Sequence, residues 1–585
     1  MIVEDYHYPL HSIPNRRDFR DMLDRTCENF GEQLTFFEKD ERDRYQGITY
    51  NQFRHRIACL GEALLDMGIV QRDKIAIMGK NCRKWAISYY AVVSSNCIIV
   101  PIDKDLGGDE IERIVTKAEV KAAIFENRYT EIFQAVSRKH RFLKYLIPFD
   151  AQKNYPVCLD VLIQNGEQRI KQGNRKYPGI RINPEETASI LFTSGTTGTP
   201  KGVMLSQKNI ISNIVQMRQL IWLDETMTFL SVLPLHHVYE CTCGFLCQVH
   251  AGTRIAYAQS LKKIAQNINE IRPTNINVVP LLLEAFYRRI IEKINEKPST
   301  RIKFKIGDLL CSMVQAVLRK NIRRKVFNQV HDRFGGKLDL FITGGAAVKP
   351  EISRFLRKLG FRVIQGYGIT ECSPFLAGNR DRFFSDSAAG LPSPGCDIEI
   401  FDKNDTGIGE IGAKGPNVML GYYREPELTK QAFRSGYFMT GDLGYIDSKN
   451  FLYVVGRKKH TIVTKTGKNI YPEEIEFQFL HSELIKEIVI SERRDPETMD
   501  EIIAAHIHPN LEVLAERTGK QEDEIADKET IPLIRKNIRE VNAKLVSYKR
   551  ITYFYLHREE FEKTTTRKIK RFLVEPEGEP IPVYR

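Results

Sequence analysis

The chain has 585 residues, 42% hydrophobic and 28% charged, with a formal net charge of +13. That length exceeds what one hydrophobic core supports, so two or more domains are expected. No stretch reaches the roughly 20 apolar residues of a membrane-spanning helix. The best candidate, "YYAVVSSNCIIVPID", is broken by Ser94, Ser95, Asn96 and Pro101, and "MIVEDYHYPLH" at the amino terminus has acids and no apolar core, unlike a secretory signal. The expected compartment is the cytoplasm.

In chain order, short apolar runs alternate with segments of helical period. "DKIAIMGKN" reads as a strand, "RKWAISYYAVVSS" as a helix and "CIIVPID" as a strand; "DEIERIVTKAEV" then puts Ile111, Ile114 and Val115 on one helical face before the strand "KAAIFEN". The same alternation returns in the helix "LKKIAQNINEIRP", with Ile264, Ile268 and Ile271 aligned, and the strand "INVVP". "KLDLFITGGA" reads as strand into glycine turn. In the helix "PEISRFLRKLG", Ile352, Phe355, Leu356 and Leu359 form one stripe and Gly360 the stop, and the strand "FRVIQ" leads to "GYGITE". Such alternation implies βαβ units and parallel or mixed sheets. Residues 284–334 form a basic, helical insertion in this framework, the texture turns to glycine-punctuated short strands from Ala388, and after "FLYVVGRKKH" comes a small α+β domain. The fold class expected is therefore α/β, with a large domain over 1–456, including a β-rich subdomain, and a small domain over 457–585.

Eleven cysteines without regular spacing argue against a disulfide framework. "HHVYECTCGFLCQVH" brings Cys241, Cys243 and Cys247 near histidines, but zinc sites favour C-x-x-C over C-x-C. Cys243 and Cys247 read as small apolar residues on one helical face. The basic clusters "RIKFKIGDLL" and "AVLRKNIRRKVFNQVHDRF" lack the aromatic interleaving or motif of a nucleic-acid module, which leaves a solvated basic face or contact with an anionic membrane surface.

"ILFTSGTTGTPKGVMLS", residues 190–206, concentrates glycines, hydroxyls and a lysine in one loop. Glycine is costly to order, and its usual return is a backbone able to curl around an anion. It is not the G-x-x-x-x-G-K-[ST] phosphate loop, because Thr199 and Pro200 separate Gly198 from Lys201.

"TSGTTGTPKGV" closely resembles the phosphate loop of the adenylate-forming superfamily. "QGYGITE" (365–371) is similar to that family's adenine and magnesium loop, "TGDLG" (440–444) to its ribose loop, "GRKKH" (456–460) to its hinge and "KTTTRKIKR" to its terminal lysine segment. The resemblance implies ATP and Mg²⁺ as cofactors. It gives Thr193, Ser194, Gly195, Thr196, Thr197, Gly198 and Lys201 to the phosphates; Gln365, Gly366, Tyr367 and Gly368 to adenine; and Thr370 to the α-phosphate. Glu371 is paired with Thr193 on the metal, and carboxylate oxygen suits a hard cation. Asp442 and Arg457 fall to the ribose, His237 in "PLHHVYE" to the border of the acyl pocket, Lys459 to the hinge of a mobile small domain, and Lys568 to the reacting carboxylate and α-phosphate.

Within the superfamily, "GRKKHTIVTKTGKNIYPEEIE", with Gly467, Lys468 and Asn469, is more like the long-chain fatty acyl-CoA synthetases, as are the "GGAAV" turn (344–348) and the basic insertion. The implied partners are a medium- or long-chain fatty acid, ATP and coenzyme A as cosubstrate. The insertion would suit peripheral contact with the inner membrane face, and no nucleic acid is implied. Three positions depart from the family pattern: His460 where an acid is usual, Arg567 where glycine is usual and Glu562 where proline is usual. The acceptor is left open between coenzyme A and acyl carrier protein, whose acidic surface suits a basic one. A catalytically silent, membrane-associated binding protein is the reading from another class; Lys568 argues against it.

Overall fold

The apolar runs become two sheets. In the computed structural model, residues 8–152, 157–193, 200–463, 469–479, 482–494, 501–563 and 569–584 are described. Lys74–Met78, Ile98–Pro101 and Ala122–Phe125 pair in parallel and are buried almost throughout. Continuous apolar runs are what strands covered on both faces require. They belong to a seven-stranded sheet ordered Gly421–Tyr422, Lys201–Ser206, Thr187–Thr193, Ile98–Pro101, Lys74–Met78, Ala122–Phe125, Tyr145–Pro148. The first two pairings in that order are antiparallel, so the glycine- and hydroxyl-rich segment joins two antiparallel strands, not a strand and a helix.

A nine-stranded sheet carries Thr228–Ser231, Asn275–Val278, Leu340–Thr343 and Arg362–Gly368 side by side in parallel. Phe286, Ile290, Cys311 and Phe327 of the basic insertion share one buried cluster with Phe341 and Val363 of this sheet. The insertion is helical as expected, with Pro280–Asn295 and Pro298–Leu318 its longer helices.

The chain divides into two compact units: one of Met1–Ile398, Ala413–Phe438 and Ile446–Leu452, holding both large sheets, and one of Glu399–Gly412, Met439–Tyr445 and Tyr453–Arg585. In the smaller unit Ile485–Arg494, Glu501–Pro509, Ile551–Leu556 and Ile581–Pro582 form a four-stranded sheet. Ile503, Ile507 and Phe554 from that sheet pack with Ile475, Ile534 and Ile538 from the helices Pro472–Phe479 and Asp527–Asn542. The α/β class with a smaller α+β unit holds. Among the described residues no helix is long and apolar enough to cross a membrane.

The cysteine-rich segment is helical, but Tyr239–Leu246 is wound as a π-helix before continuing as Cys247–Ala251. Cys241, Cys243 and Cys247 are buried, and desolvation pushes the thiols of Cys241 and Cys247 up to about 12, so they pack as small apolar groups. At the end of this helix His250 is held as neutral imidazole. Its Nδ1 accepts from Arg218 Nη1 at 2.6 Å and its Nε2 donates to the Pro14 carbonyl at 3.1 Å. Burial, with the charge of Arg218, lowers its pKa to about 3. The unfolded chain therefore binds a proton that the native chain refuses as pH falls from about 6.5 to about 3. The stability tied to neutral His250 is complete above this window and is lost within it. His250→Gln can accept and donate without titrating. The stability advantage of the parent over this variant, measured by denaturant unfolding, should shrink by on the order of 3 kcal/mol between about pH 7 and pH 4.

Candidate functional site

Parallel strands deliver loops at their carboxyl ends, where ligands of open α/β sheets bind. Four expected segments meet that description in the larger unit: the 232–240 segment follows Thr228–Ser231, Gly344 follows Leu340–Thr343, Gln365–Gly368 closes the strand Arg362–Gly368, and Thr370–Cys372 is a short 3₁₀ turn beyond it. Tyr239 joins the first two, its hydroxyl donating to the Ile342 carbonyl at 3.0 Å. A Cβ at Gly344 would stand 3.6 Å from the Tyr239 ring and 3.5 Å from the Gly366 carbonyl. Gly368 admits no other residue, since a Cβ there would lie 1.9 Å from the Pro374 carbonyl oxygen.

Thr343 and Gln365 are register partners on adjacent strands, so their side chains share a face. Both are buried, and Thr343 Oγ1 and Gln365 Oε1 have no hydrogen-bond partner among the described residues. Two orphaned buried oxygens side by side are the condition that a ligand bearing donors relieves.

Glu371 is held from several directions. Its backbone carbonyl accepts from Met419 N at 2.8 Å, and its Oε1 accepts from the Tyr422 hydroxyl at 3.0 Å. Tyr422 sits on the strand Gly421–Tyr422, paired with Val203 of Lys201–Ser206. Lys201 Nζ lies 5.5 Å from the centre of the Tyr422 ring. Lys201 is in turn the register partner of Thr193, the last residue of its strand. Thr193, Lys201, Tyr422 and Glu371 are thus one connected group, three of them expected and Tyr422 not. A carboxylate and a threonine hydroxyl are the hard oxygen donors that Mg²⁺ takes. Ser194, Gly195, Thr196, Thr197 and Gly198 lie outside the described residues.

Three buried asparagines fix this arrangement. Asn209 Nδ2 donates to the carbonyls of Pro416 and Val418, at 2.8 and 2.9 Å. Asn213 exchanges two hydrogen bonds with the backbone of Phe375, and Asn417 Nδ2 donates to Cys372 and Phe375 carbonyls at 3.1 and 3.0 Å.

In the 232–240 segment His237 is half-buried, its ring 4.4 Å from that of His236. Asp103, His236 and His237 bring their ligand atoms within 4.8 Å of one another. His236 Nε2 is 3.1 Å from Asp103 Oδ1, close enough for an ion pair but not aligned for a hydrogen bond. Glu240 is fully buried, and desolvation drives its carboxyl to about 8 against opposing hydrogen bonds from Ser231, at 2.6 Å, and Asn277, at 3.2 Å.

In the smaller unit Asp442 lies on the strand Tyr437–Ile446 and Arg457 ends the strand Leu452–Arg457. Arg457 Nε is 2.7 Å from Asp442 Oδ1, and the Asp442 N–H donates to Thr440 Oγ1 at 3.1 Å. Lys459 is exposed in the 3₁₀ turn Lys458–His460. His460 Nδ1 meets Glu473 Oε1 at 2.6 Å. Lys468, Gly467, Arg567 and Lys568 lie outside the described residues. The flanks of 564–568 are described: Lys563 bridges to Ile569, Lys570 Nζ pairs with Glu562 at 3.1 Å, and Arg571 pairs with Glu476.

Residues 23–423 match the AMP-binding enzyme family. Long-chain-fatty-acid–CoA ligase 1 of Cavia porcellus is 29% identical over 511 residues, 82% of this chain and 71% of that protein. Fatty acyl-CoA synthetase B of Dictyostelium discoideum is 26% identical over 86% of this chain and 78% of its own. Among solved structures, an anthranilate CoA ligase in complex with anthranoyl-AMP aligns with a TM-score of 0.74 at 17% identity, over 98% of each chain. O-succinylbenzoate coenzyme A synthetase of Bacillus subtilis, in complex with ATP and magnesium ion, aligns with a TM-score of 0.70 at 20% identity, over 94% of this chain and 98% of that one. At these identities the structures establish the fold.

Tyr422→Phe removes the donor to Glu371 and leaves the ring beside Lys201. A charge-assisted hydrogen bond of this kind contributes roughly 1.5–3 kcal/mol. The Mg²⁺ concentration giving half-maximal ATP turnover should rise about tenfold or more, with the melting temperature nearly unchanged. An unchanged Mg²⁺ requirement would show that Tyr422 does not position Glu371.

Proposed function

The chain belongs to the AMP-binding enzyme family, and from that premise we propose that it is an AMP-forming ligase for medium- or long-chain fatty acids, with coenzyme A as acyl acceptor. The relatives named as long-chain-fatty-acid–CoA ligases support the substrate class. The connected group Thr193, Lys201, Tyr422 and Glu371 is the observation that carries the nucleotide chemistry.

In this reading a carboxylate oxygen of the fatty acid attacks the α-phosphorus of ATP. The bond to the bridging oxygen breaks, and pyrophosphate leaves. Both reactants are anions, so the protein's part is to supply cations and N–H donors and to hold the attack in line. Lys201 and the 194–198 loop take the leaving phosphates; Gln365, Gly366, Tyr367 and Gly368 take the adenine; Thr370 faces the α-phosphate. Thr193 and Glu371 would hold Mg²⁺, which when bound neutralises phosphate charge. Asp442, already oriented by Arg457, accepts from ribose hydroxyls. His237 borders the acyl chain. In the second half-reaction the thiol of coenzyme A attacks the acyl carbonyl carbon and AMP departs. Lys459, in a short exposed turn, is the hinge that would let one pocket serve both steps, since a hinge needs only a few backbone dihedrals to change.

The test is an ATP–pyrophosphate exchange assay across carboxylic acids, followed by thioester formation with coenzyme A and acyl carrier protein offered separately. Exchange should depend on medium- or long-chain fatty acids, and thioester should form on coenzyme A. ADP as the nucleotide product would overturn the reading, and thioester on the carrier protein alone would overturn the acceptor.

Lys568 is assigned to the charge between carboxylate and α-phosphate. Lys568→Ala should slow adenylation by on the order of 10²–10³-fold, the scale of losing one electrostatic contact to a transition state. It should still convert supplied acyl-AMP to thioester. Lys570 is paired with Glu562, so Lys570→Ala should adenylate at close to the parent rate. Equal losses from the two would make the segment a general basic patch.

A further inference from the structure

The helix Pro298–Leu318 lies on the nine-stranded sheet's cluster by one side only. Phe304 packs against Phe327 and Phe355, with ring centres 5.4 and 5.7 Å apart, and Gly307 and Cys311 are the buried residues of the helix. On the opposite side Ile302, Ile306, Leu309, Met313 and Val317 follow the spacing of a single helical stripe. All five are exposed, Ile306 at 62% and Val317 at 78%. Leu310 widens the stripe and is exposed as well. An apolar strip of this length on a water-facing helix is the mark of a surface that another phase or partner covers.

Charge narrows what covers it. Lys303 and Lys305 fall on the two flanks of the stripe, and Arg319 and Lys320 follow its end; all four are exposed. The segment 297–325, "KPSTRIKFKIGDLLCSMVQAVLRKNIRRK", has Asp308 as its only acid. That acid is turned away, bound to Arg323 at 2.7 Å and to Lys358 at 3.2 Å. An apolar face bordered by lysines, whose stems extend along the apolar surface while their ammonium groups stay wet, is the composition of a helix that lies in a lipid interface. A second copy fits less well, because packing the stripe against itself brings the flanking lysines of both copies together with no acid to answer them. No described helix can cross a membrane, so the contact lies along the surface.

We propose that Pro298–Leu318 is a membrane-docking helix, which seats its exposed stripe among the acyl chains of an anionic bilayer and its flanking cations among the phosphate headgroups. The assignment is independent of which acid the enzyme activates and of whether it is active.

The test is flotation of the full chain with vesicles of phosphatidylcholine alone and of equal parts phosphatidylcholine and phosphatidylglycerol. The parent should bind the anionic vesicles about tenfold or more tightly than the neutral ones, and added salt should weaken that preference. Ile306→Glu with Leu309→Glu should reduce anionic-vesicle binding by about tenfold or more. Lys303→Glu with Lys305→Glu should remove the preference for anionic lipid. Melting temperatures equal to the parent's show that the variants are folded, and Ile306→Ser with Leu309→Ser gives a milder replacement with the same expected direction. Three results would overturn the proposal: a parent that does not float with anionic vesicles, a folded stripe variant that floats as the parent does, or a parent dimer that the stripe variant dissolves without any lipid binding. Flotation reads no catalysis, so such a failure is distinct from failure of the ligase reading.

Discussion

The position of the Glu371 carboxylate depends on buried amide hydrogen bonds that radiate from one helix, Gln207–Leu220. Asn209 and Asn213 stand one turn apart on it and reach two separate segments, the loop of Pro416 and Val418 and the strand Phe375–Gly378 through Phe375. Asn417 then ties the first of these to the second, through Phe375 and the turn residue Cys372. An asparagine side chain carries a donor and an acceptor in the geometry of a peptide group, so Asn213 pairs with Phe375 as a neighbouring strand would. The energetics are asymmetric. Each bond contributes about 0.5–1.5 kcal/mol when made, but removing one partner strands a buried carbonyl and costs roughly 1–3 kcal/mol. The network therefore does more to exclude other loop positions than to deepen the native one. The helix itself begins straight after the strand Lys201–Ser206, with Ser206 and Asn209 in a reciprocal cap. Lys201, Glu371 and Tyr422 are thereby referred to one rigid element.

The apolar strands and their parallel pairing were legible in the sequence because burial on both faces leaves a local mark, an unbroken apolar run of four or five residues. The helices were legible for the same reason, through stripes such as Ile352, Leu356 and Leu359, which are buried as the spacing requires. Glu371, Asp442 and Arg457 were legible through motifs. The clamp was not. Asn213 and Phe375 lie 162 positions apart, and Asn209 and Val418 lie 209 apart; a single polar residue in an amphipathic helix carries no sign of so distant a partner. Tyr422 lies in none of the motifs, and its hydroxyl reaches Glu371 only through the strand pairing with Val203. The π-helical winding of Tyr239–Leu246 also escaped the periodicity, because eight residues are too few to separate a π from an α repeat.

The smaller unit shows what its departures from the family pattern amount to. His460 stands where the family pattern has an acid, and Glu473, from the helix Pro472–Phe479, meets its ring. Burial would raise the Glu473 carboxyl, but the hydrogen bond from His460 and the charge of Arg571 hold it below the usual carboxylate range. Glu562, where proline is usual, pairs with Lys570 and accepts the Lys570 N–H at 2.8 Å through its carbonyl. Of the three departures, Arg567 lies outside the described residues, while His460 and Glu562 each have a side-chain partner, Glu473 and Lys570, next to the turn Lys458–His460 and to 564–568.

The chain's excess of cations is thus arranged in two ways that follow different physics. Around 564–568, Lys563, Lys570 and Arg571 each have a carboxylate partner, so their charge is largely neutralised and they define local geometry. Along Pro298–Leu318 and just beyond it, exposed Lys303, Lys305, Arg319 and Lys320 have no ion-pair partner among the described residues and border an apolar stripe. Their field therefore extends into solvent, whereas Arg323 and Arg324 are paired with Asp308 and Asp339. Paired charge shapes a loop and is little affected by distant surfaces. Unpaired charge over about a Debye length acts at a distance and is weakened by salt. Apolar surface beside it adds an attraction that salt does not screen. The second arrangement suits something as extended and featureless as a headgroup plane, and it is carried by the helical insertion that packs on the nine-stranded sheet.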